Sequence, residues 1–247
     1  MEAVHVAIIY YSATGTVHAL ARAAAEGAEK AGAEVRLRKC AESAPPEAIK
    51  AHQAWRRHLR DTADVAVATP DDVAWADAVL WGSPSRFGNP ASQFKAFVDS
   101  LGMLWRRGAL AGKVYSAFTA SGTAHGGQES TLLAMGNVFY HWGGIIVPPG
   151  YTDPIQFETG NPYGTSRLAG DSEHDDAVLE AARYQARRVV DTAAALKAGR
   201  HPACPDADAR PDAGLHPDAG PRSDAVLVAG PDARRRPRTR AAGYSPA

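Results

Sequence analysis

Cysteine is scarce in this chain: Cys40 and Cys204 are the only two in 247 residues, and they lie far apart. That excludes a disulfide framework and any zinc or iron–sulfur site built on thiolates. Neither charge is in excess, with 27 Lys and Arg against 27 Asp and Glu. There is accordingly no electrostatic case for nucleic acid or an anionic membrane as a partner. No apolar run approaches the roughly 18 residues of a membrane span. The first residues lead straight into an apolar strand, with no basic region or apolar signal segment, and a cytoplasmic protein is expected.

What the chain does have is alternation. Val4 to Tyr10 is an almost continuous apolar run of the kind a parallel sheet buries on both faces. Val17 to Ala31 follows as an Ala-rich helix, closed by Gly32. Further strands are expected at Glu34 to Arg38, Ala78 to Trp81, Val114 to Ala120 and Gly144 to Val147. Helices are expected at Ala91 to Leu101, Glu129 to Tyr140 and Asp175 to Lys197. Between the second and third strands, Ala41 to Pro70 forms a long polar connection with a candidate helix from Glu47 to Leu59. Thr69-Pro70-Asp71-Asp72 reads as a helix start with Pro at its first position. Strands alternating with helices indicate an α/β fold with a doubly wound, open parallel sheet. Such sheets bind ligands beyond the carboxyl ends of their strands.

The loops at those ends are unusual. After the first strand comes Ser12-Ala13-Thr14-Gly15-Thr16-Val17, with a helix opening directly behind it. Three hydroxyls, the backbone N–H groups around Gly15 and the positive end of the helix dipole converge there on one anion. The loop lacks the Lys of a nucleoside triphosphate loop and the glycines of the dinucleotide fingerprint. A single phosphate monoester such as that of FMN suits it. After the third strand comes Gly82-Ser-Pro-Ser85-Arg86-Phe87-Gly88-Asn89-Pro90, and after the fourth Thr119-Ala-Ser-Gly-Thr-Ala-His-Gly-Gly-Gln128. Both are rich in glycine and small polar residues, so backbone can approach a flat ring closely.

Tyr11-Ser12-Ala-Thr-Gly15, Arg86-Phe87-Gly88-Asn89, Ser121-Gly122-Thr123 with Gly126-Gly127-Gln128-Glu129, and Val147-Pro-Pro-Gly150-Tyr151 stand in order and at matching spacing. In these segments the chain resembles the WrbA family of flavodoxin-like NAD(P)H:quinone oxidoreductases, from about Val4 to Lys197. The resemblance implies a flavodoxin-like five-stranded sheet in the order 2-1-3-4-5, non-covalent FMN, NAD(P)H as electron donor, a quinone as substrate and a homotetramer. It places the phosphate loop on Ser12, Ala13, Thr14, Gly15, Thr16 and Val17, and the loop beside the isoalloxazine on Ser85, Arg86 and Phe87. The third flavin loop falls on Ala120, Ser121, Gly122, Thr123, Ala124 and His125. A flavin-contacting histidine falls on His141, and the tryptophan on the substrate side of the ring falls on Trp105. Two departures stand out. Thr14 replaces a common nicotinamide-contacting tyrosine, and Ala124-His125 lengthens the third loop by a residue.

Charge argues for the chemistry independently. The three loops hold no Asp or Glu before Glu129, and they hold Arg86. A cation about 4 Å from the flavin N1 edge stabilises negative charge there by up to about 4 kcal/mol at an effective dielectric near 20. That favours full two-electron reduction, hence ping-pong hydride transfer from NAD(P)H to a quinone. The alternative is an FMN-binding electron-transfer module without quinone reductase activity. His18 and His125 read as solvent-facing or peripheral, and Trp55-Arg56-Arg57-His58 as a solvated amphipathic helix.

The FMN-binding domain is expected at residues 1–198. From about residue 199 the composition changes, with Pro-Asp-Ala at positions 205, 211, 217 and 231 and a basic run from Arg234 to Arg240. Dense proline and low hydrophobicity predict a disordered, solvated tail.

Overall fold

The computed structural model describes residues 2–170 and 175–199; the Pro-Asp-Ala tail lies outside them. Strand β1 (His5–Tyr10), helix α1 (Thr16–Lys30) and strand β2 (Glu34–Lys39) open the chain. The long connection carries α2 (Pro46–Ala51), α3 (Gln53–Asp61) and α4 (Pro70–Trp75). Next come β3 (Ala78–Arg86), β4 (Asn89–Pro90), α5 (Ser92–Ser100) and α6 (Gly102–Arg106). They are followed by β5 (Val114–Ser121), α7 (Gln128–His141), β6 (Ile145–Ile146), α8 (Pro154–Thr159), β7 (Ser166–Leu168) and α9 (Asp175–Gly199). The main sheet runs β2-β1-β3-β5-β6 with every neighbouring pair parallel. This is the flavodoxin-like order expected for five strands. Two short strands add to it: β4 pairs antiparallel with β3, and β7 pairs parallel with the end of β5.

Alternation along β1 divides the core. Val6, Ile8 and Tyr10 face one apolar layer with Leu80, α1 and α9. Ala7, Ile9 and Tyr11 face the other, with Trp81, Phe94, Tyr115 and Phe139 from the α5–α7 side. Both layers are sealed, which is why β1 reads as an unbroken apolar run. α1 and α9 approach so closely that a Cβ on Gly27 would stand 2.3 Å from the Arg183 carbonyl oxygen. Glycine inside a helix costs about 1 kcal/mol relative to alanine, and here that close approach requires it. Gly32 ends α1 in the left-handed region at φ 86° and donates to Glu29 O.

The expected helix from Glu47 to Leu59 is in fact two, parted at His52, whose φ of −116° and ψ of 105° are extended. α4 begins at Pro70 behind a Thr69–Asp72 capping box. Asp72 is buried and also accepts from Arg38 Nε at 3.0 Å, so the cap is tied to β2. β3 is longer than its apolar run, because Gly82 to Arg86 continue the strand into what reads as a loop. A Cβ at Gly82 would lie 2.3 Å from the Phe118 ring, so glycine there lets β3 pass its neighbour. Among the described residues, no helix is long and apolar enough to cross a membrane.

Candidate functional site

A cleft of about 200 Å³ opens at the carboxyl ends of β1, β3 and β5, lined by residues of all three loops. Ser12, Ala13, Thr14, Thr16 and Val17 form one wall, Pro84 and Arg86 a second, and Ala120, Ser121 and Gly122 a third. Tyr11 N–H donates to Gly82 O at 2.9 Å, which anchors the first loop to β3 just before it leaves the sheet. Gly15 turns the chain at φ 102°, and its N–H donates to Ser12 Oγ at 3.1 Å. α1 starts at the next residue with no acidic side chain in its first turn. Its opening N–H groups have no intrahelical acceptor, as at every helix start. Thr14 and Thr16 line the cleft at this helix start, and free N–H groups of that kind suit an anion. Among the described residues neither a carboxylate nor a lysine lines the cleft, and Arg86 is the charged residue on its wall.

The third wall is built from below. Ser121 Oγ donates to Thr123 O at 2.7 Å and accepts from Gln128 Nε2 at 2.8 Å. Ser85 does not line the cleft; its hydroxyl donates to Gly126 O at 2.6 Å and so fastens the second loop to the third. Phe87 is fully exposed in a left-handed conformation at φ 54°. Thr123, Ala124 and His125 are exposed and lie outside the cleft lining.

Sequence reasoning missed Ala169, which also lines the cleft. It arrives through β7, whose pairing with β5 continues into an Ala169 N–H bond to Ser121 O at 2.8 Å. Buried Gln185 of α9 supports this corner: its Nε2 donates to Ser116 Oγ and Ala117 O, and its Oε1 accepts from Thr165 N–H. A three-residue strand such as Ser166–Leu168 leaves no periodic signal to read.

Trp105 and His141 lie elsewhere. Their rings stack at 5.6 Å between centroids and 27° between planes, in a groove of about 410 Å³ that also involves Lys95, Val98 and Trp142. α7 starts beside the third loop and ends at His141; at 1.5 Å per residue its ends are about 20 Å apart. Within one chain, His141 therefore sits far from the cleft. The groove is the roomier concavity and carries Lys95, Asp99 and Asn137 beside its aromatic pair, whereas the hydroxyls of Ser12, Thr14, Thr16 and Ser121 line the smaller cleft.

His125 is exposed, as expected, but His18 is half-buried. His18, in the first turn of α1, lies 2.6 Å from the Tyr10 hydroxyl through Nδ1. Its ring is 5.3 Å from that of His58 on α3. Burial, the His58 ring and Arg22 push the His18 pKa down to about 4. His58 is itself buried and pushed down, by desolvation and then by Lys39. Gly15 turns beside it, since a Cβ there would be 3.5 Å from His58 Nδ1. The segment read as a solvated helix thus packs its inner residues behind the first loop. Cys40, also behind that loop, is buried, and desolvation pushes its thiol up to about 12.

Comparison with known proteins bears on family and fold. The model of the NADPH-dependent FMN reductase family matches residues 4–154. The NAD(P)H dehydrogenase (quinone) of Deinococcus radiodurans is 46% identical over 197 residues, covering 78% of this chain and 97% of its own. The NAD(P)H dehydrogenase (quinone) 3 of Rhizobium meliloti is 41% identical over 209 residues, covering 81% and 96%. Among solved structures, the flavodoxin, WrbA-like protein from Agrobacterium tumefaciens gives a TM-score of 0.55 at 23% identity, covering 78% of this chain and 99% of that one. At that identity the likeness concerns the fold.

Proposed function

This chain belongs to the NADPH-dependent FMN reductase family, and from that premise we propose that it is an FMN-dependent NAD(P)H:quinone oxidoreductase. Quinones are reduced to hydroquinones by two electrons, in ping-pong order, with NADH or NADPH as donor. When bound, FMN supplies the hydride-accepting and hydride-donating ring. The chain's residues hold it, set its charge environment and leave one face open to each substrate in turn.

The observation that carries this reading is the cleft lining itself, in which, among the described residues, three loops present hydroxyls, backbone and one cation, with no carboxylate. Ser12, Ala13, Thr14, Gly15, Thr16 and Val17 take the phosphate, and Ala120, Ser121 and Gly122 pass close to the ring. Arg86 balances the negative charge of the reduced state. A site enclosing a drug-sized ligand has about 300–1,000 Å³, so a cleft of about 200 Å³ leaves part of FMN uncovered. That open face suits a donor and an acceptor that use it alternately. The FMN-binding domain is residues 1–198.

Trp105 and His141 enter this reading through a second copy. Because the long axis of α7 separates them from their own cleft, they reach an isoalloxazine only if another protomer's groove faces it. A homotetramer supplies that arrangement, and the exposed side chains of Met103, Leu133 and Tyr140 on the same helices favour association there. Trp105 then lies on the substrate side of the ring.

Steady-state reduction of benzoquinone by FMN-loaded protein, with NADH and NADPH compared, tests the proposal. Turnover with parallel double-reciprocal plots is expected. Intersecting plots would refute the ping-pong order. Bound FMN without NAD(P)H oxidation would leave the electron-transfer module as the reading.

A further inference from the structure

Glu42 lies in the loop after β2, outside every segment that lines the cleft, yet its carboxylate gathers five donors. Oε2 accepts from Tyr11 Oη and from Trp55 Nε1, each at 3.0 Å. Oε1 accepts from Gln93 Nε2 at 3.0 Å and from the N–H groups of Ser43 at 2.9 Å and Ala44 at 2.8 Å. Burial pushes this carboxyl up, but the bonds from Ala44, Gln93, Tyr11 and Trp55 outweigh it and hold the group below its ordinary value. Burial and the Glu42 charge push the Tyr11 phenol up, so the phenol remains a donor and the carboxylate an acceptor. Hydrogen bonds to a charged group are about twice as strong as neutral ones.

The three side-chain donors come from three different parts of the molecule. Tyr11 directly precedes Ser12 of the first loop, Trp55 belongs to α3 of the long connection, and Gln93 begins α5 just after the second loop. Behind the first loop the packing is incomplete: a cavity of about 40 Å³ lies among Tyr11, Ser12, Cys40, Glu42 and His58. A loop over a cavity is placed by directional bonds more than by contact; here Tyr11 N–H bonds to Gly82 O, and its side chain is tied through Glu42 to α3 and α5.

We propose that Glu42 is a positioning residue for phosphate recognition: by accepting from Tyr11, Trp55 and Gln93 together, it fixes the first loop in its anion-binding form before FMN arrives. The inference rests on reading the cleft as the FMN site and adds to it a residue that never touches the ligand. A loop formed in advance loses less conformational freedom on binding, which raises affinity without any new contact. The gain falls on the phosphate alone, since the ring is held by the other two loops.

Riboflavin, which has the same ring without the phosphate, separates positioning from a general loss of structure. Full-length protein freed of flavin is titrated with FMN and with riboflavin, following flavin fluorescence. Glu42→Gln replaces an oxygen by an NH2 group that faces donors. We expect it to weaken FMN by about tenfold, the scale of one charged hydrogen bond, and riboflavin hardly at all. Tyr11→Phe and Trp55→Phe each leave the carboxylate in place and remove one donor, so each gives a smaller loss with the same preference for FMN. They carry the test should Glu42→Gln fail to fold. Glu42→Gln combined with Tyr11→Phe is expected to be no weaker than Glu42→Gln alone, because both break one link. Equal losses for FMN and riboflavin, or no loss for either, would overturn the positioning role. Wild-type protein that binds both flavins equally well would overturn it differently, by removing the phosphate site on which it rests.

Discussion

The cleft at the carboxyl ends of the strands and the groove beneath α6 are built from different materials. The cleft is the smaller, about 200 Å³ against about 410 Å³, and its walls come from loops whose atoms are fixed by bonds: Tyr11 to Gly82, Ser85 to Gly126, Ala169 to Ser121. The groove is framed by helices, and its distinguishing feature is the Trp105–His141 stack on an exposed face. The first presents hydroxyls, backbone and one cation, the set that the proposed function assigns to a phosphate and a flat ring. The second combines aromatic and aliphatic surface with Lys95, Asp99 and Asn137. Cavity volume would favour the groove, whereas the proposed function rests on the donors of the smaller cleft.

The sharpest way to break that contrast is to place a like charge in the cleft without harming the fold. Thr16→Glu does so at the first position of α1, where an acidic side chain suits the helix dipole and none stands now. The added carboxylate opposes a phosphate dianion at short range, which at an effective dielectric of about 20–40 weakens FMN by about a hundredfold or more. Thermal stability without flavin should hold or rise slightly. Unchanged FMN affinity, read by equilibrium titration, would mean that the phosphate lies elsewhere.

Trp105→Ala probes the other region and should have a smaller effect. If the groove acts on a neighbouring copy's flavin, kcat/KM for quinone falls by about tenfold, the scale of one lost aromatic contact with its buried area. FMN affinity in the variant's own cleft should hardly move. Activity per bound FMN should also fall on dilution, as protomers part. A variant with full activity, together with activity independent of concentration, would confine function to the cleft.

The sequence makes the cleft legible and leaves its supports obscure, for a physical reason. Parallel strands buried on both faces advertise themselves as apolar runs, and the loops after them carry glycine and hydroxyls that serve no core. Thus Ser12 to Val17, Arg86 and Ala120 to Gly122 are visible by composition, and the sheet order follows from the resemblance. Ser85 and Thr123 to His125 look equivalent to their neighbours in sequence, but strand pleating and the Ser121–Gln128 bond send them away from the cleft. Glu42, Ala169 and His58 act across the fold, at separations no local pattern encodes: Glu42 meets Gln93 at a distance of 51 residues. The break between α2 and α3 at His52 has no proline or glycine to mark it. Trp105 and His141 pair because α6 returns against the end of α7, which only the packed helices reveal.

The smallest expected effect concerns the histidines behind the first loop, and its sign follows from their burial. In the folded chain His18 titrates near pH 4, down from 6.5. Tyr10 contacts it at 2.6 Å, His58 faces it from α3, Arg22 and Lys39 add positive charge, and Asp64 opposes them. Between those pH values the unfolded chain holds a proton that the fold excludes. This contribution to stability is therefore complete above pH 6.5 and is lost as pH falls towards about 4. His58, pushed in the same direction, adds to the slope. His18 is half-buried, so solvent screening keeps the effect modest. Melting temperature should drop over this window in flavin-free protein, and less with FMN bound, because a phosphate at the start of α1 favours a cation nearby. His18→Gln should flatten the slope, whereas Trp105→Ala in the groove should leave it as it was. An equal slope in the wild type and in His18→Gln would assign the acid sensitivity to groups away from the cleft.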